Sequence, residues 1–214
     1  MIARSIVVGI DVGGEKKGFH AVALCGGRFY GKSASCDPAK LAGWCRAVGA
    51  VAVGIDAPCT WSRTGRRRPC ERELAAVGIQ AFATPCLEVG LRNPFHRWMV
   101  NGAELFRMIG KRYELFDGRR RPGRLYCFET FPHAVACALG GRVVSAKHKR
   151  TLRRKLLARA GVETEPLKNI DEVDAALCAL TAHYFVNGGI RSYGDADEGL
   201  IIVPGRPLSA VTPD

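Results

Sequence analysis

Three apolar runs in this chain each stop at an acidic residue: SIVVGID over 5–11, VAVGID over 51–56 and GRLYCFE over 123–129. The first two are continuous and rich in β-branched residues, the pattern of a strand buried on both faces, which needs helices above and below its sheet. Between them lie FHAVALC and GGRFYGKSAS, read as two further strands joined through Gly26-Gly27, so the first three strands form an antiparallel meander. DPAKLAGWCRAVGA follows, with Asp37 as N-cap, Pro38 at the first helical position and Leu41, Trp44, Cys45 and Val48 at helical spacing. A strand-helix-strand crossover of this length makes the next strand parallel to one already placed.

Farther along, residues 59–122 are the least regular. CTWSRTGRRRP is a polar loop, CERELAAVG a short helix, FATPCLEVGLRNP irregular, and FHRWMVNGAELFRMIGKRYELF (95–116) a long helix. With 214 residues and 47% hydrophobic content, the chain is expected to form one domain over 1–214, with 59–122 as a helical and loop insertion. Pro132 opens a helix, the basic stretch KHKRTLRRKLLARAG forms another that stops at Gly161, and IDEVDAALCALTAHYFVNGG (170–189) forms a third. A short strand, LIIVP, and a coil close the chain.

The order β-β-β-α-β-α-β-α predicts an α/β fold with a mixed five-stranded sheet in the order 3-2-1-4-5, strands 1, 4 and 5 parallel. Carboxyl ends of neighbouring strands share a crevice, which would hold Asp11, Asp56 and Glu129. On the last helix Asp171 and Asp174 are three positions apart and face the same side, whereas Glu172 points away. The candidate catalytic residues are therefore Asp11, Asp56, Glu129, Asp171 and Asp174. Carboxylates this close either take up protons or bind divalent cations. An all-oxygen donor set favours Mg2+ or Mn2+ over zinc, and two such ions roughly 3.5–4 Å apart would suit phosphodiester cleavage. Each acid also has a structural explanation: Asp11 and Asp56 as turn formers, Asp171 as a helix N-cap.

The formal net charge of +12 is concentrated in runs. Arg66, Arg67 and Arg68; Arg119, Arg120 and Arg121; and Lys147, Lys149 and Arg150 are the candidate contacts to a nucleic-acid backbone, a solvated basic surface being the alternative. No two of the nine cysteines lie closer than nine positions apart, so neither a zinc ribbon nor a redox motif is supported, and they read as small buried residues of a reducing compartment. No segment approaches the roughly 20 apolar residues of a membrane helix and no secretory leader is evident, so a soluble, cytoplasmic protein is expected. His133 and His183 are weighed as general bases or core histidines, Glu71 and Glu73 as further ligands or helix-start acids, and Trp61 as a base-stacking or loop-anchoring ring.

In their order, GIDVGGEKKGF, GIDAP followed by RPCERELA, FATP, FETFPHA and DEVDAALCALTAH resemble the RNase H-like superfamily. In particular they resemble the family described as predicted RNase H-like nucleases, domain-of-unknown-function family 429, over residues 6–187. DEVDAALCALTAH is also similar to the last helix of RuvC-type Holliday-junction resolvases. The resemblance implies metal ligation by Asp11, Asp56, Asp174 and Asp171, while Glu129 matches the family's E-x-x-P segment. It implies a nuclease acting on DNA or RNA, with a homodimer left open. Two other readings stand beside it. GIDVGGEKKG also looks like the phosphate-binding turn of sugar kinases and actin-like ATPases, where backbone N–H groups cradle phosphate, although GIDAPCT stands where their second glycine-rich turn would be. A nucleic-acid-binding module with a relic acidic pocket would need no metal.

Overall fold

A computed structural model describes residues 5–208 apart from 146 and 148. Residues 1–4, the end of the expected C-terminal coil and His148 of the basic run therefore lie outside the described residues. The chain begins with β1 (Ile6–Val12), β2 (Phe19–Cys25) and β3 (Arg28–Ser35), each antiparallel to the last. The β2–β3 turn places Gly26 at φ 58° and Gly27 at φ 83°, a left-handed pair that glycine enters without steric cost. Helix α1 (Pro38–Ala47) starts as expected: the Asp37 carboxylate accepts from the N–H groups of Ala39 and Lys40. It returns the chain to β4 (Ala52–Asp56), parallel to β1.

The segment that follows contains α2 (Pro69–Ala76), α3 (Leu87–Arg92), a 3-10 turn at Pro94–His96, α4 (Arg97–Ile109) and the two-residue β5 (Glu114–Leu115). The expected helix over 95–116 is shorter at both ends, because the chain turns at Gly110 and then pairs with the strand β6 (Tyr126–Glu129). After β6 come α5 (Pro132–Gly140), α6 (Lys149–Arg159), α7 (Ile170–Val186), β7 (Ile190–Asp195) and β8 (Gly199–Pro204).

The sheet runs β3-β2-β1-β4-β6-β8-β7, with β5 pairing separately with β6. Its first five members reproduce the order and directions expected of the RNase H-like fold, with β1, β4 and β6 parallel. The LIIVP strand extends this path as β8, parallel to β6, and β7 closes it as an antiparallel edge strand. β7 is absent from the sequence reading because IRSYGD has only half-buried and exposed positions. An edge strand against a partly solvated face carries little apolar pattern.

Two cores lie on opposite faces. Val7 of β1 packs with α5, α6 and α7, whereas Val8, Ile10 and Val12 pack with α1 and α4. Since side chains alternate along a strand, Val7, Gly9 and Asp11 share the α7 face. In β4, Ala52 belongs to the α7 core and Val53 and Ile55 to the other, which assigns Gly54 and Asp56 to the α7 face as well.

Candidate active site

Parallel register sets Asp11 beside Asp56, at the carboxyl ends of β1 and β4. Neighbouring strands are about 4.8 Å apart, so the two carboxylates share one edge of the sheet. Two residues earlier on the same face stand Gly9 and Gly54, also paired. A Cβ on Gly9 would come within 2.0 Å of Ala179 N and 2.2 Å of Ala175 O, and one on Gly54 within 2.7 Å of Cys178 O. The backbone of α7 thus lies directly on the two glycines. That contact fixes the height at which the helix presents its acids, with Asp174 one turn before Cys178 and Asp171 three residues earlier.

The residue capping α7 is Asn169, whose side chain accepts from Glu172 N at 2.8 Å. Asp171 is therefore not the N-cap, and its carboxylate is free to take both oxygens to Lys17 Nζ, at 2.8 and 3.0 Å. Glu172 points elsewhere, to Lys32 at 2.8 Å. Asp174 is buried and ion-paired with the buried Arg153 of α6. Arg153 lies four positions after Lys149, on the same side of that helix, and the charge of Lys149 reaches both Asp11 and Asp174.

Asp11 and Asp56 differ from the helix acids in having no cation bound to them. Among the described residues no hydrogen bond or ion pair reaches either side chain. Burial, then the charges of Asp174 and Asp171, push the Asp11 carboxyl up to about 7, with Lys17 and Lys149 opposing. Burial likewise raises Asp56 well above the ordinary carboxylate range, with Asp11 and Asp174 adding to it and Arg153 opposing. Asp174 is also raised by burial, against the pull of Arg153. The thiol of Cys178, packed beside these acids, is raised by burial first and then by the charges of Asp56, Asp11 and Asp174.

This arrangement is short of positive charge at Asp11 and Asp56, and it offers oxygen donors, which suits Mg2+ or Mn2+. Among the described residues no three His, Cys, Asp or Glu side chains converge in ligating geometry. The carboxylates of Asp174 and Asp171 are instead turned onto Arg153 and Lys17. The donor set is all oxygen, the chemistry a hard cation takes, with Asp11 and Asp56 the two acids that carry no ion pair among the described residues.

Glu129 does not join them on the α7 face, although its charge still reaches Asp56. In β6, Tyr126 and Phe128 face the α7 core and Cys127 faces the other, so Glu129 is on the face opposite Asp56. Its register partner is Ile55. Its carboxylate receives Arg68 Nη2 at 2.7 Å, Arg68 Nη1 at 2.9 Å and Cys59 N–H at 2.9 Å. Arg68, expected as a phosphate contact, is 1% exposed and unavailable to a phosphate backbone. Its Nε also binds Glu71, which in turn accepts from Thr84. Glu71 is thus part of this buried ion network, and Glu73 accepts from Gly194 N at 2.8 Å. Trp61 packs beneath α3, where a Cβ on Gly90 would come within 2.2 Å of its ring, so it anchors a loop.

The basic runs separate in space. Arg119, Arg120 and Arg121 are exposed. Arg120 and Arg121 line a hollow with Ser5, Val51 and Tyr126, the amino ends of β1, β4 and β6, at the opposite end of the sheet from the acids. Arg121 is also paired with Glu114 and Asp117. Those three arginines cannot hold a strand against Asp11. Lys149 is exposed and its charge reaches Asp11 and Asp174, Lys147 is exposed, and Arg150 donates to Lys168 O at 3.0 Å. Arg66 is exposed and Arg67 half-buried, reaching Gln80. His183 lies against Gly27 at the far end of α7, away from the acids. His133 is half-buried and feels Arg153 and Lys149, which, after burial, lower its pKa.

Two residues of the site were missed in the sequence. Arg153 was legible as the next turn of the Lys149 face. His20 is the register partner of Asp11 on β2 and lies 3.9 Å from Asp171; its Nδ1 is buried without a partner. It alternates with Val22 and Leu24 on the α7 face, a polar interruption of an apolar period.

The turn after Asp11 bears on the kinase reading. Gly13 N–H donates to Gly18 O at 2.8 Å, and the Lys17 and Gly18 N–H groups donate to Gly14 O at 3.0 and 2.9 Å. These donors are occupied within the turn and are not available to cradle a phosphate.

Residues 9–198 match the model of the family described as Protein of unknown function (DUF429). The chain belongs to this family. No curated protein matches it significantly. Among solved structures, this DUF429 chain is similar to one titled "Thermus thermophilus RuvC structure", with 14% identity, 86% of this chain and 96% of that chain covered, and a TM-score of 0.47. A second, "T. thermophilus RuvC in complex with Holliday junction substrate", has 16% identity, the same coverage and a TM-score of 0.44. Similarity of that extent does not transfer a substrate to the DUF429 chain.

Proposed function

We propose that the protein is a divalent-metal-dependent nuclease that hydrolyses phosphodiester bonds of DNA or RNA. The observation carrying this reading is the pair Asp11 and Asp56, adjacent in register, raised in pKa and without a cation among the described residues. Asp11, Asp56 and Asp174 are the residues that would hold Mg2+ or Mn2+, with Asp171 at the rim. When bound, such ions supply an activated water and charge neutralisation at the leaving oxygen.

The chain's own residues do the rest. Lys149 and Lys17 set positive charge at the crevice, where a phosphate must approach three carboxylates. Arg153 orients Asp174 at the crevice through their ion pair, and its guanidinium would add positive charge for a phosphate there. His20, beside Asp11 and within reach of Asp171, is placed to pass a proton at its Nε2. The overall change is addition of water across one P–O bond, leaving a phosphate monoester and a hydroxyl.

One observation favours a second reading, a binding module without catalysis: Arg153 and Lys17 already occupy two of the acids. Cleavage decides between them. Wild type and Asp11→Asn are assayed with Mg2+ and Mn2+ on labelled single-stranded, duplex, hybrid and four-way-junction substrates. Metal-dependent cutting lost in the variant is the expected result. Binding of these substrates without cutting under any metal would leave the module.

A further inference from the structure

On the α4 side of the acidic crevice lies a cavity of about 220 Å3 lined by Val12, Asp56, Ala57, Trp98, Met99, Glu129 and Phe131, with Phe82 at its rim. Asp56 belongs to both spaces, so a ligand with one group at the carboxylates has the cavity as its neighbouring hollow. We propose that this cavity receives an unstacked nucleobase of the strand whose phosphate lies at Asp11 and Asp56. The inference rests on the nuclease reading and adds that the substrate is single-stranded, or opened, at that nucleotide.

Charge and shape choose the base over the phosphate. The polar wall is the Arg68–Glu71–Glu129 network, one cation against two carboxylates, with Asp56 beside it. A phosphate would meet net negative charge there. The network is also internally satisfied: Glu71 accepts from Arg68 and from the backbone and hydroxyl of Thr84, and Glu129 from Arg68 and Cys59 N–H. Thr130, another wall residue, donates its hydroxyl to Ile202 O at 2.7 Å. The wall therefore makes few demands on an occupant, and what remains is apolar and aromatic.

The rim completes the picture. Phe82 is 61% exposed, yet its ring is braced edgewise by Phe95 at 5.9 Å and Trp98 at 6.0 Å. A large aromatic held in place and still open over most of its surface is the kind of platform on which bases stack. Phe95 is itself 60% exposed, so two neighbouring rings at the rim are open to a ligand.

The test uses the intact protein with a fluorescein-labelled single-stranded oligonucleotide in Ca2+, read by anisotropy, and a second oligonucleotide carrying one abasic nucleotide walked along its length. One abasic position is expected to weaken binding roughly tenfold in wild type, as loss of one stacked base does. Ala81→Trp, which fills the cavity from its wall and leaves every acid in place, is expected to weaken the intact oligonucleotide similarly and to abolish the difference between the two. Phe82→Ala should give a partial loss, which guards against a misfolded Ala81 variant. Equal affinity for intact and abasic strands at every position overturns the base pocket while leaving nucleic-acid binding standing. No binding of either strand overturns the nuclease reading as well. Dimerisation of wild type, lost in Phe82→Glu, would mean that a second copy covers the rim, and overturns the proposal.

Discussion

Asp11→Asn should make the metal-free protein more stable at neutral pH. In the folded chain burial and the neighbouring acids raise this carboxyl from its ordinary 3.8 to about 7. With the folded value above the unfolded one, the native state binds more protons between about pH 4 and pH 7, and stability falls as pH rises through that window. The destabilisation is absent below the lower value and complete above the upper one. A shift of about 3 units corresponds to roughly 4 kcal/mol at 1.36 kcal/mol per unit. The side chain is only half-buried, so solvent screening reduces this to about 2 kcal/mol. The neutral amide removes that cost, which for a domain of this size means a Tm higher by about 4–8 °C at pH 7.5. The gain should shrink steadily toward pH 4. Urea unfolding of both proteins in chelator, followed by circular dichroism at four pH values from 4.5 to 7.5, measures it. Mg2+ or Mn2+ at about 100 times its Kd should then raise wild type by about 2.7 kcal/mol and leave the variant behind. A variant no more stable than wild type at pH 7.5, or a difference that does not change with pH, would refute the reasoning. It would mean that a cation of the protein already compensates Asp11 in solution.

Gly9→Ala pushes a methyl into the backbone of α7, 2.0 Å from Ala179 N, and should cost at least about 3 kcal/mol, read as a lower urea midpoint with unchanged slope. Arg68→Met strands the buried Glu129 and Glu71 and should cost about 3–5 kcal/mol; adding Glu129→Gln should recover part of it, whereas a directly reacting Glu129 would give loss of cleavage without loss of stability. Lys149→Ala should lower the dependence of log Kobs on log salt by about one unit, as removal of a phosphate contact does, while Arg121→Ala, at the far end of the sheet and paired with two acids, should leave the slope unchanged; fluorescence anisotropy over a salt series separates the two.

What the sequence disclosed and what it hid follow from period and phase. β1 and β4 were legible because a strand buried on both faces is a continuous apolar run, and the meander because Gly26-Gly27 demands a left-handed turn. Glu129 misled because ending an apolar run is a statement about position, whereas facing a site is a statement about parity. β6 pairs Glu129 with Ile55, one residue short of Asp56. A one-residue offset turns a side chain to the other face of the sheet. The local run contains no information on that offset, which is set by how β6 docks beside β4. Arg68 misled for a related reason: three consecutive arginines look alike in sequence, and only the third is turned inward, to a carboxylate 61 positions away. The 119–121 run, a candidate nucleic-acid contact by its charge, is exposed, but which end of the sheet it decorates depends on the path through β5 and β6.

The repeated Gly-Ile-Asp of β1 and β4 is the part of the site where sequence and geometry agree most closely, once both of its outer residues are used. The glycines share a face with the acids because they are two positions apart, and with each other because the strands are in register. Removing two adjacent side chains from that face opens a furrow that admits a helix backbone. The helix that fills it, α7, has alanines and a cysteine at 175, 178 and 179, the small residues such contact requires. Asp174 then arrives beside Asp11 and Asp56 with no freedom in its height above the sheet. A larger residue at either glycine would lift α7 and withdraw Asp174, even with every acid intact. Gly9→Ala should therefore lose divalent-cation stabilisation as well as folding stability, and a partly folded variant that still gained the wild-type increment from Mn2+ would show that Asp174 is not needed to hold the ion.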